Sequence, residues 1–305
     1  MSARFLSLML FFMLTLPAVS FSQKAAGPVE VRRLDSSPYT PGKDPDIDLY
    51  MCNWRDSQPR HTYGSLVERD VLTRGDPAHP ARKGAVLKFV NRFSHASLYA
   101  HASTTPATLS GEQVILYFLS GKGNIKSGQK SADLREGIFV LIPDKCSFQM
   151  TNTGDEPLTM YLIAEPIVSS TFKPPKEMLT VDENILPISS SNGHWSMIIK
   201  TAFNIGKELS IIEYVNAIVF DPMTIGHPHA HLEGCEEVWT SLEGTSILFL
   251  GKQIRMQSPG TAYLCPPYGD CTHSNINHMD KPLKFLYFAV REDWEKNDKI
   301  KRTRE

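Results

Sequence analysis

Two stretches of this chain repeat each other at a fixed distance, and that repeat limits the possible folds more than any other feature. The run QVILYFLSG ends at Gly121 and EEVWTSLEG ends at Gly244, 123 residues later. Sixteen residues beyond each of these glycines stands another, Gly137 and Gly260, and six beyond that a proline, Pro143 and Pro266. Further on, NTGDEPLTMYLI from Asn152 matches NHMDKPLKFLYF from Asn277, with Asn, Asp, Pro and Leu in register but at an offset of 125. The two extra residues therefore fall between Pro266 and Asn277, most simply in PPYGDC. Self-similarity of this kind marks one structural unit present twice.

The unit reads as strands. AVLKFVNRF, ASLYAHAS, GIFVLIP and LTMYLIAE in the first half, and LSIIEYVNAIVFD, TSILFLG, TAYLCP and LKFLYFAV in the second, are short β-rich runs separated by Gly, Pro, Asn and Asp. With no long helical period between them, they predict a sandwich or barrel in each half. A glycine at a strand end supplies turn angles that other residues adopt at a cost, and a proline fixes the start of the next strand. The shared landmarks thus describe a scaffold.

The second copy carries polar residues that this scaffold does not need. HPHAH places His227, His229 and His231 at alternate positions, Glu236 and Glu237 follow, and His273 comes later. On a strand, alternate side chains share a face, so the three histidines are expected to point the same way, with a carboxylate from the next strand and His273 from a later one near enough to grip one ion. Mapped back through the repeat, His229, His231 and Glu237 fall on Pro106, Thr108 and Val114, His273 on Phe148, and His227 on Thr104. The first copy keeps the glycines, prolines and asparagine but none of the metal-binding groups. The polar set is therefore an added function of the second copy. A carboxylate buried among imidazoles without a cation would also bear a large desolvation cost.

H-x-H, an acidic residue with six residues between it and Gly244, Gly260 and Pro266 as G-x5-P, and His273 with three residues before Asn277 together resemble the two signature motifs of the cupin family. The resemblance covers residues 85–165 and 205–290. It implies an all-β chain of two tandem cupin domains, each a double-stranded β-helix or jelly-roll barrel, with a metal site in the C-terminal one only. It also implies His229, His231, Glu237 and His273 as the metal ligands, Glu237 being preferred to Glu236 by its distance from Gly244. The sequence departs from the pattern in having five residues between His231 and Glu237, and a loop two residues longer after Pro266. Trp239 and Ser241 share a strand face with Glu237, and Tyr263 lies on a neighbouring strand; all three are expected to line the pocket. His227 and Glu236 are the nearest candidates for general acid–base work.

The expected organisation is a signal peptide at 1–22, an arm at 23–80 covering a barrel opening, an N-terminal cupin at 81–165, a linker at 166–195, the metal-binding cupin at 196–292 and a charged tail at 293–305. At 305 residues the chain is long enough for two cores. Its 32 basic and 33 acidic residues give a formal charge of −1, so no basic face is offered to nucleic acid or to a membrane surface. Arg4 precedes the apolar run FLSLMLFFMLTLPAV, with Ser20 and Ser22 at cleavage-site positions, which reads as a secretory signal. The run falls short of the roughly 20 residues of a membrane span, so a secreted or periplasmic chain with no span after cleavage is expected. Of the five cysteines, Cys265 and Cys271 flank PPYGD and are expected either to be bridged or to be buried thiols.

Three imidazoles and one carboxylate suit one divalent transition metal, with Fe, Mn, Zn, Ni and Cu not distinguished. Vacant coordination positions would take a small molecule chelating through two oxygens. The expected function is that of a metal-dependent enzyme acting on a hydroxy acid, keto acid or sugar derivative by dioxygenase, isomerase or lyase chemistry. The alternative is a non-catalytic periplasmic bicupin that binds a sugar or carboxylate. The chain is expected to act as a monomer or homodimer with a small-molecule substrate.

Overall fold

Alternation along single strands decides the architecture. In Glu112–Ser120, Val114, Leu116 and Phe118 belong to one buried cluster, while Ile115 and Tyr117 between them belong to another. In Leu283–Arg291, Leu283 and Phe285 face one cluster and Leu286, Phe288 and Val290 a second. A strand with both faces apolar needs a core on each side, so these strands sit in a central layer.

The computed structural model describes residues 37–168, 172–189, 196–231, 234–266 and 271–292. The expected signal peptide, most of the PPYGD turn and the charged tail lie outside the described residues. Among those described the chain is nearly all β, with single turns of 3-10 helix at Ile47–Leu49 and Trp54–Asp56. The first half forms a large sheet in the order Leu179–Asp182, Ile138–Ile142, Glu112–Ser120, Leu158–Pro166, Arg92–Leu98, Leu66–Arg74, Arg60–Thr62, with a smaller sheet of Ala107–Thr108, Ser147–Asn152, Gly123–Ser127 and Lys130–Leu134. The second half repeats the plan. Its large sheet runs Met51–Asn53, Thr261–Leu264, Cys235–Glu243, Leu283–Arg291, Ile212–Phe220, Met197–Asn204, and its small sheet is Gln253–Gln257, Ser246–Leu250, His273–Ile276. Two cores fill the barrels, and a third lies between the two large sheets, where Phe93 meets Phe288 edge to face at 5.3 Å.

The repeat holds to the residue. Strands 112–120, 123–127 and 130–134 recur as 235–243, 246–250 and 253–257, an offset of 123. Gly121 and Gly244 take positive φ of 89° and 72° at the same strand end, which explains the glycine in both copies. Asn152 donates to the carbonyls of Leu98 and Glu156 at 3.0 and 2.8 Å and accepts from the amide of Gly154. Asn277 does the same with the carbonyls of Asp221 and Lys281 and the amide of Met279. The shared asparagine is thus a turn clamp.

Carboxylates lock the two large sheets together at equivalent places. Glu165 accepts the backbone amides of Ile211 and Ile212, both at 2.7 Å, and holds the side chain of Gln113. Glu236, which the repeat aligns with Gln113, accepts the amides of Lys88, Phe89 and Val90, the last two at 2.9 and 3.0 Å. Residues 88 and 211 are themselves 123 apart. The barrels therefore dock about a pseudo-twofold, each inserting a turn over the other's acidic group.

Two parts of the expected organisation change. The segment before residue 80 is less an arm than a supplier of strands: Arg60–Thr62 and Leu66–Arg74 extend the first large sheet, and Met51–Asn53 pairs with Thr261–Tyr263 of the second. Charged residues Glu68, Arg69 and Asp70 hide that strand in sequence; Glu68 is fully buried, with Arg60 and Arg92 as ion-pair partners. Within the expected linker, Leu179–Asp182 pairs with Ile138–Leu141 at the edge of the first sheet. Cys265 and Cys271 are both buried thiols with no disulfide between them.

Candidate metal centre

HPHAH is extended but is not a regular strand. It meets the small sheet through one bridge, in which the His229 amide donates to the His273 carbonyl at 3.3 Å and the His273 amide returns to His229 at 2.9 Å. Pro228, lacking an N–H, breaks any longer ladder. Glu237 arrives from the opposite wall on Cys235–Glu243, and His273 begins the strand His273–Ile276. One ligating atom from each of His229, His231, Glu237 and His273 lies within 4.8 Å of the other three. His227 takes no part: it is exposed, its ring stacks on His229 at 5.6 Å, and its carbonyl accepts from His229 Nδ1 at 2.7 Å. A carbonyl can only accept, so Nδ1 of His229 carries the proton and its Nε2 presents a lone pair.

Glu237 is the pivot. Burial alone would raise its pKa, but the adjoining His231 and His273 imidazoles hold it well below the usual carboxylate range. Trp239 Nε1 donates to Oε1 at 2.5 Å, the Cys265 thiol contacts the same oxygen at 3.7 Å, and the Tyr287 hydroxyl donates to Oε2 at 3.1 Å. These contacts fix the carboxylate and leave lone pairs facing the histidines. Burial pushes His229 down to about 4, keeping it neutral. Burial also opposes charge on His231, yet its contacts with Cys235 and Glu237 outweigh that and lift it to about 10. The cluster thus favours positive charge at its centre, supplied either by a proton or by a metal ion.

The donor set fits a cation. Nε2 of His231 lies 2.6 Å from Glu237 Oε2 and Nε2 of His273 lies 3.0 Å from Oε1. Neither nitrogen is aligned for a hydrogen bond with any described residue, and His273 Nδ1 has no partner either. Buried ring nitrogens without such bonds are uncommon in folded proteins. Ligands on opposite sides of an ion with bonds of about 2.1 Å stand roughly 4.2 Å apart, so the observed spread closes onto one ion with small adjustments.

A cavity of about 510 Å³ opens beside the cluster, and His229, His231, Glu237 and Trp239 contribute to its lining. Trp239 is where the sequence places it. Ser241 is not in that lining: it sits at the end of its strand, fully buried, and donates to the Gly244 carbonyl at 2.9 Å. Tyr263 is also buried away from the cavity, its hydroxyl accepting from Asn275 at 2.9 Å, behind His273. Glu236 points out of the barrel to the docking turn at Lys88–Val90, because neighbours on a strand face opposite ways. Neither Glu236 nor His227 is placed for acid–base work in the cavity. Sequence reading missed Asn216, Ile218, Tyr287 and Cys235 as cavity residues. For Asn216, Ile218 and Tyr287 the signal was available, since each lies on a run already read as strand, and Cys235 stands two residues before Glu237 on the same strand face.

In the first barrel two of the positions equivalent to the ligands build core, and the other two, Pro106 and Thr108, are exposed. Val114 and Phe148 belong to its apolar cluster, Tyr63 packs edge-on against Phe148 at 5.1 Å, and Thr108 pairs with Ser147.

No protein-family model matches the chain, and no curated protein matches it in sequence. Solved structures do match. A putative glyoxylate-induced protein from Pseudomonas aeruginosa superimposes with a TM-score of 0.65 at 11% identity, covering 83% of this chain and 93% of its own. A mutant form of the Bacillus subtilis oxalate decarboxylase gives 0.58 at 13% identity, covering 82% and 81%. The 7S globulin of Momordica charantia gives 0.58 at 12%, covering 79% and 84%. These likenesses show the fold, two tandem cupin barrels.

Proposed function

We propose that the second barrel holds one divalent transition metal through His229, His231, Glu237 and His273, and that the chain is a metal-dependent enzyme acting on a small oxygen-rich metabolite. The observation that carries this reading is the convergence of four donors beside a cavity of about 510 Å³, where the first barrel has Pro106, Thr108, Val114 and Phe148, none of them a metal-binding group. The fold does not choose the chemistry, because an oxalate decarboxylase and a 7S globulin both share it.

When bound, such an ion would polarise a substrate carbonyl or acidify a water. The chain's own residues supply the rest. His229 offers its Nε2 lone pair because Nδ1 is committed to the His227 carbonyl. Glu237 stays ionised, and Trp239 and Tyr287 hold its two oxygens in place. Trp239, Ile218 and Ala289 wall the cavity with apolar surface and exclude water from one side. The expected dioxygenase, isomerase or lyase activity belongs to this proposal, as does export directed by residues 1–22.

The test is to purify the exported chain, measure metal per chain, and assay oxygen uptake and turnover of hydroxy acids, keto acids and uronates for wild type and His231→Ala. Turnover that disappears together with the metal supports the enzyme. Tight ligand binding without turnover supports a binding bicupin instead, and wild type without metal overturns both.

A further inference from the structure

Strand register maps the cavity wall beside Glu237. Ala289 pairs with Glu237 on one side and Tyr214 on the other. Two residues along the same strands, Tyr287 pairs with Trp239 and with Asn216, and Asn216 pairs with Thr201. Two further along, Ile218 pairs with Ile199. These residues lie on the inner face and line the cavity, Met197 extends the apolar stretch beyond Ile199, and Ala289 leaves room next to the carboxylate. Many of the wall's polar groups are committed to one another, Trp239 and Tyr287 to Glu237 among them. Thr201 is bonded to Ser189 at 3.1 Å, and Arg291 to Glu213 at 2.8 Å. Asn216 is buried, and its Oδ1 has no hydrogen-bond partner among the described residues.

We infer that the molecule bound here joins a two-oxygen chelating head to an apolar body: a 2-oxo or 2-hydroxy acid with an alkyl or aryl substituent. This rests on the metal-site reading above and narrows it. Sugar hydroxyls laid against Met197, Ile199 and Ile218 would lose water and gain no partner there, which disfavours them. An alkyl or aryl group loses nothing polar and gains apolar burial. The space over Ala289 sets how bulky the group next to the head can be.

Hydroxamates chelate through two oxygens and serve as probes. Wild type carrying its native metal is titrated calorimetrically with acetohydroxamate, butyrohydroxamate and hexanohydroxamate, after metal per chain has been measured. Affinity is expected to rise about fourfold per methylene, about 250-fold over the four methylenes of the series. Ile199→Thr at equal metal content should reduce the gain with chain length, and Ala289→Leu, which fills the space beside the head, should weaken hexanohydroxamate binding more than acetohydroxamate binding. Metal-loaded protein that binds all three hydroxamates equally overturns this inference and leaves the metal site standing, as does a chain-length gain unchanged in both variants. Wild type without metal overturns the metal-site reading and this inference with it.

Discussion

Glu236 and Glu237 are adjacent in sequence and opposite in role, and Glu236→Ala isolates the first role. The Glu236 carboxylate is 2% exposed and accepts the amides of Lys88, Phe89 and Val90 across the barrel–barrel boundary. Truncation leaves three backbone donors facing a cavity where the carboxylate stood. An unsatisfied buried donor costs about 1–3 kcal/mol, and water entering from the half-exposed Lys88 side relieves part of that, so a loss of about 3–5 kcal/mol is expected. Such a loss should lower the urea midpoint and the melting temperature well outside error. Metal content should be unchanged, since the Glu236 side chain points out of the barrel that holds the ligands. A loss below about 1 kcal/mol would refute the docking argument on this scale. Folded variant protein that had lost its metal would refute the separation of the two faces.

Three further expectations follow from the same contacts. Trp239→Phe removes the indole donor to Glu237 Oε1 and should weaken metal affinity by about 10- to 100-fold with the fold intact, read by competition with a chelator. His95, buried, stacked on Trp54 at 4.0 Å and near Arg55 and Arg69, is pushed down from 6.5 to about 4, chiefly by burial. The unfolded chain then binds its proton more readily than the folded one, so stability should fall as pH drops from 6.5 towards 4, by up to about 3 kcal/mol, and His95→Phe should flatten that part of the pH–stability curve. Asn152→Ala and Asn277→Ala each break an equivalent turn clamp and should each cost about 2–4 kcal/mol in thermal unfolding, whichever barrel holds the metal.

Much of this was legible in the sequence because a duplicated unit carries its own control. Gly121 and Gly244 recur because both need positive φ, and Asn152 and Asn277 because both close the same turn. Residues that recur are scaffold, so His229, His231, Glu237 and His273 stand out by having no counterpart. What stayed hidden were contacts that depend on strand register. The face of Glu236 follows from alternation, but the turn it grips lies 146 residues or more away. Ser241 and Tyr263 share the barrel interior with Glu237, yet hydrogen bonds to Gly244 and Asn275 hold them out of the cavity. Leu66–Arg74 was unreadable as a strand because Glu68 points inward and is held by arginines instead of apolar neighbours.

Metal content per chain tests the central claim most directly. Elemental analysis of purified wild type, Glu237→Gln and His273→Ala, each confirmed folded by circular dichroism, should give one divalent transition metal per chain for wild type and little or none for either variant. Wild type with no bound metal, or folded variants that keep it fully, would contradict the account.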